Sequence, residues 1–98
     1  MNNTINSLRE QIDLIDDEMT SLLVRRLNVC AEIAEEKRLS GAPVENLSRE
    51  REVLARAASR AGEQFAAYAQ QFFSCVMDIS KRFQTNLLGK SDTGEKMQ

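Results

Sequence analysis

The sequence predicts an all-α fold, in which a three-helix protomer with one long N-terminal helix pairs with a second copy in an intertwined homodimer. Apolar residues recur in steps of three and four along most of the 98-residue chain, and no stretch alternates with the period of two that a strand requires. Hydrophobic residues make up 42% of the chain, which is enough for one small core. The length of the first helix, given below, predicts the pairing.

The first predicted helix runs from residue 7 to about residue 39. Its apolar residues form a seam with heptad spacing, made of Ile5, Leu8, Ile12, Ile15, Met19 and Leu22. The segment Ser7–Glu10 matches a capping box, and Thr4 is a competing cap. At the other end, Lys37 suits the negative pole of the helix, and Gly41 suits the residue that follows the last turn.

A second, shorter helix is expected after the loop at residues 41–44. Pro43 cannot continue the first helix, because it lacks a backbone N–H and its ring clashes with the preceding turn. Asn46 and Ser48 are both suitable caps for the next helix, and Gly62 is expected to end it or to mark a short bend. The apolar side of this helix is expected to carry Leu47, Leu54, Ala57, Ala58 and Ala61.

The third predicted helix extends from about residue 65 to residue 88. Its apolar stripe contains Phe65, Ala69, Phe72, Phe73, Val76, Met77, Ile79 and Phe83. Residues 89–98 are polar and lack periodicity, so they are expected to form a disordered tail outside a domain at residues 5–88.

The length of the first helix predicts the oligomeric state. A helix over residues 7–39 is roughly 48 Å long, whereas a compact domain of this size is about 32 Å across. The chain is therefore too short to cover its own first helix, and the apolar seam needs another protein surface. A second copy related by a two-fold axis is the simplest partner.

Charge and composition exclude several kinds of partner and cofactor. The net charge of −2 favours neither nucleic acid nor an anionic membrane as a partner. No apolar run is long enough to span a membrane, and the N-terminus lacks the features of a secretory signal, so we expect a cytoplasmic protein. Because histidine is absent and cysteines do not cluster, no metal site is expected. Cys30 and Cys75 are expected to be buried thiols, with a disulfide as the alternative.

Arg26 interrupts the apolar seam of the first helix. It stands where the spacing requires an apolar residue, and the seam resumes at Val29 and Ile33. A guanidinium at a helix–helix interface is costly unless an anion meets it there. Lys37 lies further along the helix and about 20° around it from Arg26. These cations predict an anion site inside a helical bundle, while a polar residue that sets coiled-coil register is the alternative for Arg26.

Other polar residues interrupt apolar faces near the same place. Ser80 and Gln84 share one face of the third helix, and Arg49 and Glu50 begin the second helix. One pocket is expected to receive Arg26, Lys37, Arg49, Glu50, Ser80 and Gln84. For each residue alone the alternative is structural: a solvated charge, a helix-end charge or an interhelical hydrogen bond. Arg9 lies about 25 Å along the helix from Arg26, so it reaches such a pocket only from a partner chain.

The expected pocket contains several cations, one carboxylate and no histidine, so it offers no nucleophile–base pair. Such a site suits the positioning and electrostatic stabilisation of a bound molecule. The planar fork of arginine pairs well with carboxylates. We therefore expect a small-molecule ligand with more than one negative charge.

The same residues belong to an ordered pattern that spans most of the chain. Its segments are Leu8–Asp16, Leu22–Arg26, Ile33–Lys37, Pro43–Val44, Arg49–Leu54 and Ser80–Gln84. From residue 5 to about residue 87, this pattern resembles the all-helical class of chorismate mutase. The resemblance implies an intertwined dimer of three-helix protomers with two equivalent sites. It also implies an isomerase that converts chorismate to prephenate by a Claisen rearrangement, on the route to phenylalanine and tyrosine.

The resemblance implies a role for each residue of the expected pocket. Arg26, together with Arg9 from the partner chain, holds the two carboxylates of the substrate. Lys37 and Gln84 donate hydrogen bonds to the ether oxygen of the breaking C–O bond, and Glu50 accepts one from the ring hydroxyl. The implied site is completed by the polar residues Arg49 and Ser80 and by an apolar wall of Ile33, Val53 and Met77. Because the reaction is unimolecular, the resemblance implies no metal and no redox cofactor.

Two residues are unusual for this family pattern, and two other functions are alternatives to this interpretation. Many relatives have aspartate where this chain has Asn46, and Lys81 follows Ser80 close to the expected mouth of the pocket. An isochorismate pyruvate lyase on the same fold is one alternative, but that class generally lacks the carboxylate that Glu50 supplies. A non-catalytic helical dimerisation module is the other.

Overall fold

A computed structural model of the chain describes residues 3–96, with side chains described as far as Gly89. It contains three helices, α1 (Asn3–Ser40), α2 (Leu47–Ala61) and α3 (Ala66–Lys96), and no strand within those residues. The predicted all-α class is therefore confirmed. α3 packs against both α1 and α2, whereas α1 and α2 do not pack on each other in the described part of the chain. This arrangement leaves a space between α1 and α2 with α3 as its floor.

The ends of α1 differ in how well they were predicted. The helix begins upstream of both proposed caps, so Thr4 and Ser7 lie within it and the predicted capping box is wrong. The helical apolar period already includes residue 5, and a helix that has nucleated extends at low cost through its neighbours. At the other end, Gly41 adopts a positive φ of 77°, and the N–H of Ala42 donates to the carbonyl of Lys37 at 3.0 Å. This is the predicted glycine-terminated helix end.

α2 begins and ends at residues that the sequence identified. Asn46 is its N-cap, and its side-chain oxygen accepts a hydrogen bond from the backbone N–H of Arg49 at 3.0 Å. Of the two candidate caps, Asn46 therefore serves, and Ser48 lies within the first turn. Gly62 ends the helix with φ 85°, and its N–H donates to the carbonyl of Ala58.

α3 differs from its prediction at its C-terminal end. Phe65 lies in the turn before the helix, and the helix continues past the predicted end at Leu88 as far as Lys96. No proline follows Leu88, so nothing in the backbone forces the helix to stop there. The division into a domain at residues 5–88 and a polar tail stays a prediction, and the last two residues of that tail lie outside the described residues.

The core is small and lies on one side of each helix. Its buried apolar members are Cys30, Ala34, Ala57, Val76 and Met77. Both cysteines are free thiols; Cys30 is buried as predicted, but Cys75 is exposed, so that part of the prediction is wrong. Cys75 lies in an apolar stretch of α3, on a face that neither α1 nor α2 covers.

The N-terminal half of α1 has no cover from its own chain. Every side chain from residue 3 to residue 22 is exposed, including all six members of the apolar seam. The chain measures 61 × 33 × 15 Å with a radius of gyration of 17.8 Å, against about 13 Å for a compact domain of this length. None of the described helices combines the length and the apolar character that crossing a bilayer requires.

Candidate active site

An open cavity of ≈ 590 Å³ occupies the space between the C-terminal half of α1, the start of α2 and the middle of α3. Its volume is typical of a small-molecule site. The structure brings to its wall every pocket residue that the sequence singled out on this chain, namely Arg26, Ile33, Lys37, Arg49, Glu50, Val53, Met77, Ser80 and Gln84. These residues come from all three helices, so the cavity depends on the packing of α3 against the other two.

Arg26 is held in place by α3. Its Nη1 donates to Ser80 Oγ at 2.6 Å and lies 3.9 Å from Cys30 Sγ. The Ser80 hydroxyl in turn donates to the carbonyl of Val76 at 2.8 Å, and Ser80 is only 5% exposed. The hydroxyl therefore fixes the guanidinium with a neutral acceptor and leaves its charge uncompensated.

Lys37 is held by the loop that follows α1. Its Nζ donates to the carbonyl of Val44 at 2.7 Å. Gly41 ends α1 one turn beyond Lys37, and the chain turns back at Pro43 so that Val44 meets the ammonium. Within the described residues, no carboxylate lies at ion-pairing distance from Lys37 or Arg26. Both cations line the cavity with hydrogen-bond donors to spare, which suits an anionic ligand.

Two buried oxygen atoms at the cavity lack a hydrogen-bond donor in the described structure. They are Glu50 Oε2 and Gln84 Oε1, and Gln84 as a whole is only 6% exposed. Buried polar atoms without partners are rare in folded proteins. A half-turn of the Gln84 amide exchanges its oxygen and nitrogen, so this residue can present either an acceptor or two donors to a bound molecule.

Lys81 is the charged neighbour of Glu50. Its Nζ lies 3.2 Å from Glu50 Oε2, 3.3 Å from Glu45 Oε2 and 3.8 Å from Asp78 Oδ1. The hydrogen bond to Glu50, followed by that to Glu45, raises the pKa of Lys81 above its usual value, because both favour the ammonium form. Glu50 is thus the one carboxylate on the cavity wall that is paired with a cation across two helices.

Arg49 and Arg9 are less directly engaged. Arg49 lines the cavity from the first turn of α2, but its side chain is exposed and pairs with Glu52 at 3.6 Å. Arg9 is exposed in the uncovered half of α1 and is not among the residues of the cavity wall. Within one chain, the structure therefore does not bring Arg9 to the site.

Several residues of the cavity wall were not predicted as pocket residues from the sequence, and two others were noted only as unusual for the family pattern. Leu22, Arg25, Val29, Cys30 and Val44 line the cavity without having been predicted there. Val29 and Cys30 follow Arg26 by three and four residues, so helical spacing would have identified them. Val44 has no periodic signal, because it lies in a loop. Asn46 and Lys81, which stood out in the sequence, also line the cavity.

With this geometry in view, comparison with known proteins identifies the family. The family model described as chorismate mutase type II matches residues 8–85. The chain belongs to this family. The resemblance seen in the sequence is confirmed by this match.

Curated relatives agree with the family assignment. The chain is 32% identical over 88 residues to the bifunctional chorismate mutase/prephenate dehydratase of Escherichia coli strain K12. It is equally similar to the proteins of that name from Escherichia coli O157:H7 and Shigella flexneri. In each case the alignment covers 88% of this chain but only 23% of the relative. The chain therefore spans about a quarter of the length of these relatives.

Proposed function

We propose that this protein is a chorismate mutase, which isomerises chorismate to prephenate by a Claisen rearrangement. The observation that supports it best is the cavity wall. It combines Arg26 and Lys37, which are among the wall's cations without a carboxylate partner in the described structure, with Glu50 and Gln84, which each have a buried oxygen without a hydrogen-bond donor. The carboxylates of a doubly anionic molecule pair with the cations, its hydroxyl donates to Glu50, and its ether oxygen accepts from the Gln84 amide after the half-turn described above. Membership of the family supports the same substrate.

In the proposed mechanism the residues bind and orient the substrate and stabilise charge. Arg26 binds one carboxylate, with Ser80 fixing the angle of the guanidinium. Lys37 and Gln84 donate hydrogen bonds to the ether oxygen, which gains negative charge as its C–O bond breaks. Donors fixed in advance toward a developing charge are worth roughly 3–4 kcal/mol each. The rearrangement has one reactant, so restraint of a reactive conformer supplies the rest of the acceleration.

The remaining groups hold the ring of the substrate. Glu50 accepts a hydrogen bond from the ring hydroxyl, and Arg49 extends the polar shell from the first turn of α2. Ile33, Val53 and Met77 form the apolar wall against the carbon skeleton. Excluding water from that side strengthens the electrostatic interactions within the cavity.

We further propose an intertwined homodimer in which Arg9 completes the site of the partner protomer. The exposed seam on the first half of α1 and the elongated shape of the chain support a second copy at this face. In an antiparallel arrangement, the N-terminal part of one α1 approaches the middle of the other. Arg9 then supplies the second carboxylate contact. A cytoplasmic location stays a prediction from the sequence, which cell fractionation checks.

The experiment that tests the function is a spectrophotometric assay of chorismate loss by the purified protein, with prephenate identified as the product. Isochorismate is assayed in parallel for pyruvate release, because the alternative lyase acts on that substrate. A higher efficiency with isochorismate would reverse the assignment. Binding of a bicyclic dicarboxylate transition-state analogue, followed by thermal shift, separates both enzymes from a dimerisation module, for which no binding is expected.

A further inference from the structure

Lys81 lies on the cavity wall among three carboxylates. Its ammonium has three N–H donors, and three carboxylates surround it at 3.2–3.8 Å, on Glu50, Glu45 and Asp78. These partners come from the start of α2, the loop before it and the preceding turn of α3. Two of its three donors make hydrogen bonds, to Glu50 and Glu45, whereas Asp78 at 3.8 Å is an ion pair only. Most of the hydrogen-bonding capacity of Lys81 is therefore directed to its carboxylate partners.

Glu50 is the partner that depends on Lys81 most. Its side chain is 23% exposed, against 61% for Glu45 and 65% for Asp78, so water stabilises it least. Lys81 is also the one hydrogen-bond donor to Glu50 within the described structure, at 3.3 Å from Oε1. Oε2 lies 3.2 Å from the same ammonium as an ion pair, is buried, and accepts no hydrogen bond in the described structure.

The charge of Glu50 has a consequence for ligand binding. A carboxylate without a counterion would repel a dicarboxylate molecule in the same cavity, and its long side chain would adopt several rotamers. Lys81 removes both difficulties, because it balances the charge and its hydrogen bond to Oε1 restricts the orientation of the carboxylate. An ionised carboxylate has about four lone-pair sites, so Glu50 keeps acceptor capacity for a hydroxyl group on the ligand.

We propose that Lys81 is a positioning residue that makes the site select a hydroxylated dicarboxylate over its deoxy counterpart. It presents Glu50 as a charge-balanced acceptor for the ligand hydroxyl. This inference rests on the proposed function, since it concerns the same cavity. It adds a determinant of substrate selectivity that lies beside the binding groups.

The test uses two forms of a bicyclic dicarboxylate transition-state analogue, one with the ring hydroxyl and one without it. Titration calorimetry measures the preference of the native protein for the hydroxylated form. We expect Lys81→Met to reduce this preference about tenfold or more, which is the scale of one hydrogen bond to a charged group. Glu45→Gln and Asp78→Asn are matched controls that should keep the preference, because each removes only an exposed partner of the same ammonium.

A double-mutant cycle shows whether Lys81 acts through Glu50. In the Glu50→Gln background, Lys81→Met should change the affinity for the hydroxylated analogue less than about threefold, since coupled residues are not additive. Lys81→Gln, which lacks the charge but keeps an amide donor, is a second variant if Lys81→Met unfolds. The thermal midpoint of every variant is measured in the same buffer.

The possible failures are distinguishable. Equal weakening of both analogues by Lys81→Met, or additive effects with Glu50→Gln, would overturn the inference while the proposed function stands. Failure of the native protein to bind either analogue contradicts the proposed function, and the inference fails with it.

Discussion

The two halves of α1 share one apolar pattern but differ in their surroundings. From residue 3 to residue 22 every side chain is exposed, although the seam there is the most regular in the chain. After residue 22 the same helix packs against α3, buries Cys30 and Ala34, and forms one wall of the cavity. Periodicity therefore reports which face of a helix is apolar, and says nothing about which protein surface covers it.

The arginines of the two halves differ in the same way. Arg26, in the covered half, is held by Ser80 from α3 and lines the cavity. Arg9, in the uncovered half, is exposed and makes no contact that the described structure records. If a second copy covers the first half of α1, the same arrangement buries the exposed apolar seam and gives the exposed Arg9 a contact in the partner chain. Substitutions in each half of α1 test this contrast.

The largest effect is expected in the covered half, from removal of either Arg26 or Lys37. Arg26→Ala and Lys37→Ala should each lower kcat/KM for chorismate by about 100-fold or more, because each removes a fixed donor from a developing or existing negative charge. Steady-state kinetics measure this. Arg51→Ala is the control, since Arg51 is exposed on α2 away from the cavity wall. Unchanged turnover in both cavity variants would rule out the proposed mechanism.

A comparable loss is expected from a charge placed in the uncovered half. If the proposed dimer forms, Ile12→Glu should convert it to a monomer and abolish most activity, because a carboxylate in an apolar interface loses its hydration without gaining a partner. Analytical ultracentrifugation and the chorismate assay measure the two effects. Leu14→Glu is the matched control, because Leu14 is 64% exposed, against 55% for Ile12, but lies off the seam. Dissociation by both variants, or by neither, contradicts the assignment of the seam as the interface.

Mixing two inactive variants tests whether the halves of α1 meet across the dimer. Arg9→Ala and Arg26→Ala proteins are each expected to lack activity. In a random mixture after subunit exchange, about a quarter of the sites are intact, because each mixed dimer keeps one site with both arginines. Recovery of activity on mixing therefore supports Arg9 acting in trans. Absence of recovery, with exchange verified by mass spectrometry, contradicts it.

The smallest effect is expected at the start of α2, beside the covered half. Asn46→Ala removes the N-cap and should lower the free energy of unfolding by about 1 kcal/mol. Asn46→Asp keeps an acceptor and places a negative charge at the helix N-terminus, so its stability should stay within about 0.5 kcal/mol of the native protein. Urea unfolding at one fixed protein concentration measures both. Equal destabilisation by the two substitutions would show that the side-chain oxygen of Asn46 is not what caps the helix.

The sequence predicted most of the local structure of this chain and less of its ends and surfaces. Gly41, Pro43, Asn46 and Gly62 marked the turns correctly, because each acts through its own backbone torsions or nearest hydrogen bonds. The cap at Ser7 was wrong, because a capping motif also fits inside a helix that has already begun upstream. Cys75 was taken as buried because its neighbours are apolar, whereas burial depends on the element packed outside it.

The candidate site also combines residues that the sequence predicted with contacts that depend on tertiary packing. Spacing and the family resemblance together named nine of the residues that line the cavity, and missed five others that the structure places there. Lys81 was noticed as unusual, but its partners could not be foreseen, because Glu45 and Glu50 lie 36 and 31 residues away in sequence. The proposed role of Arg9 in the partner's site rests only on the family resemblance and on the exposed first half of α1.

By itself, the sequence determined three helices, an apolar seam longer than the chain can cover, and a guanidinium set into that seam. These features are local, since helical period, caps and breakers act within a few residues. The tertiary structure alone decided that α3 separates α1 from α2, that Ser80 holds Arg26, and that Lys81 compensates Glu50. Those outcomes depend on distances between residues far apart in the chain, which only the packing of the helices sets.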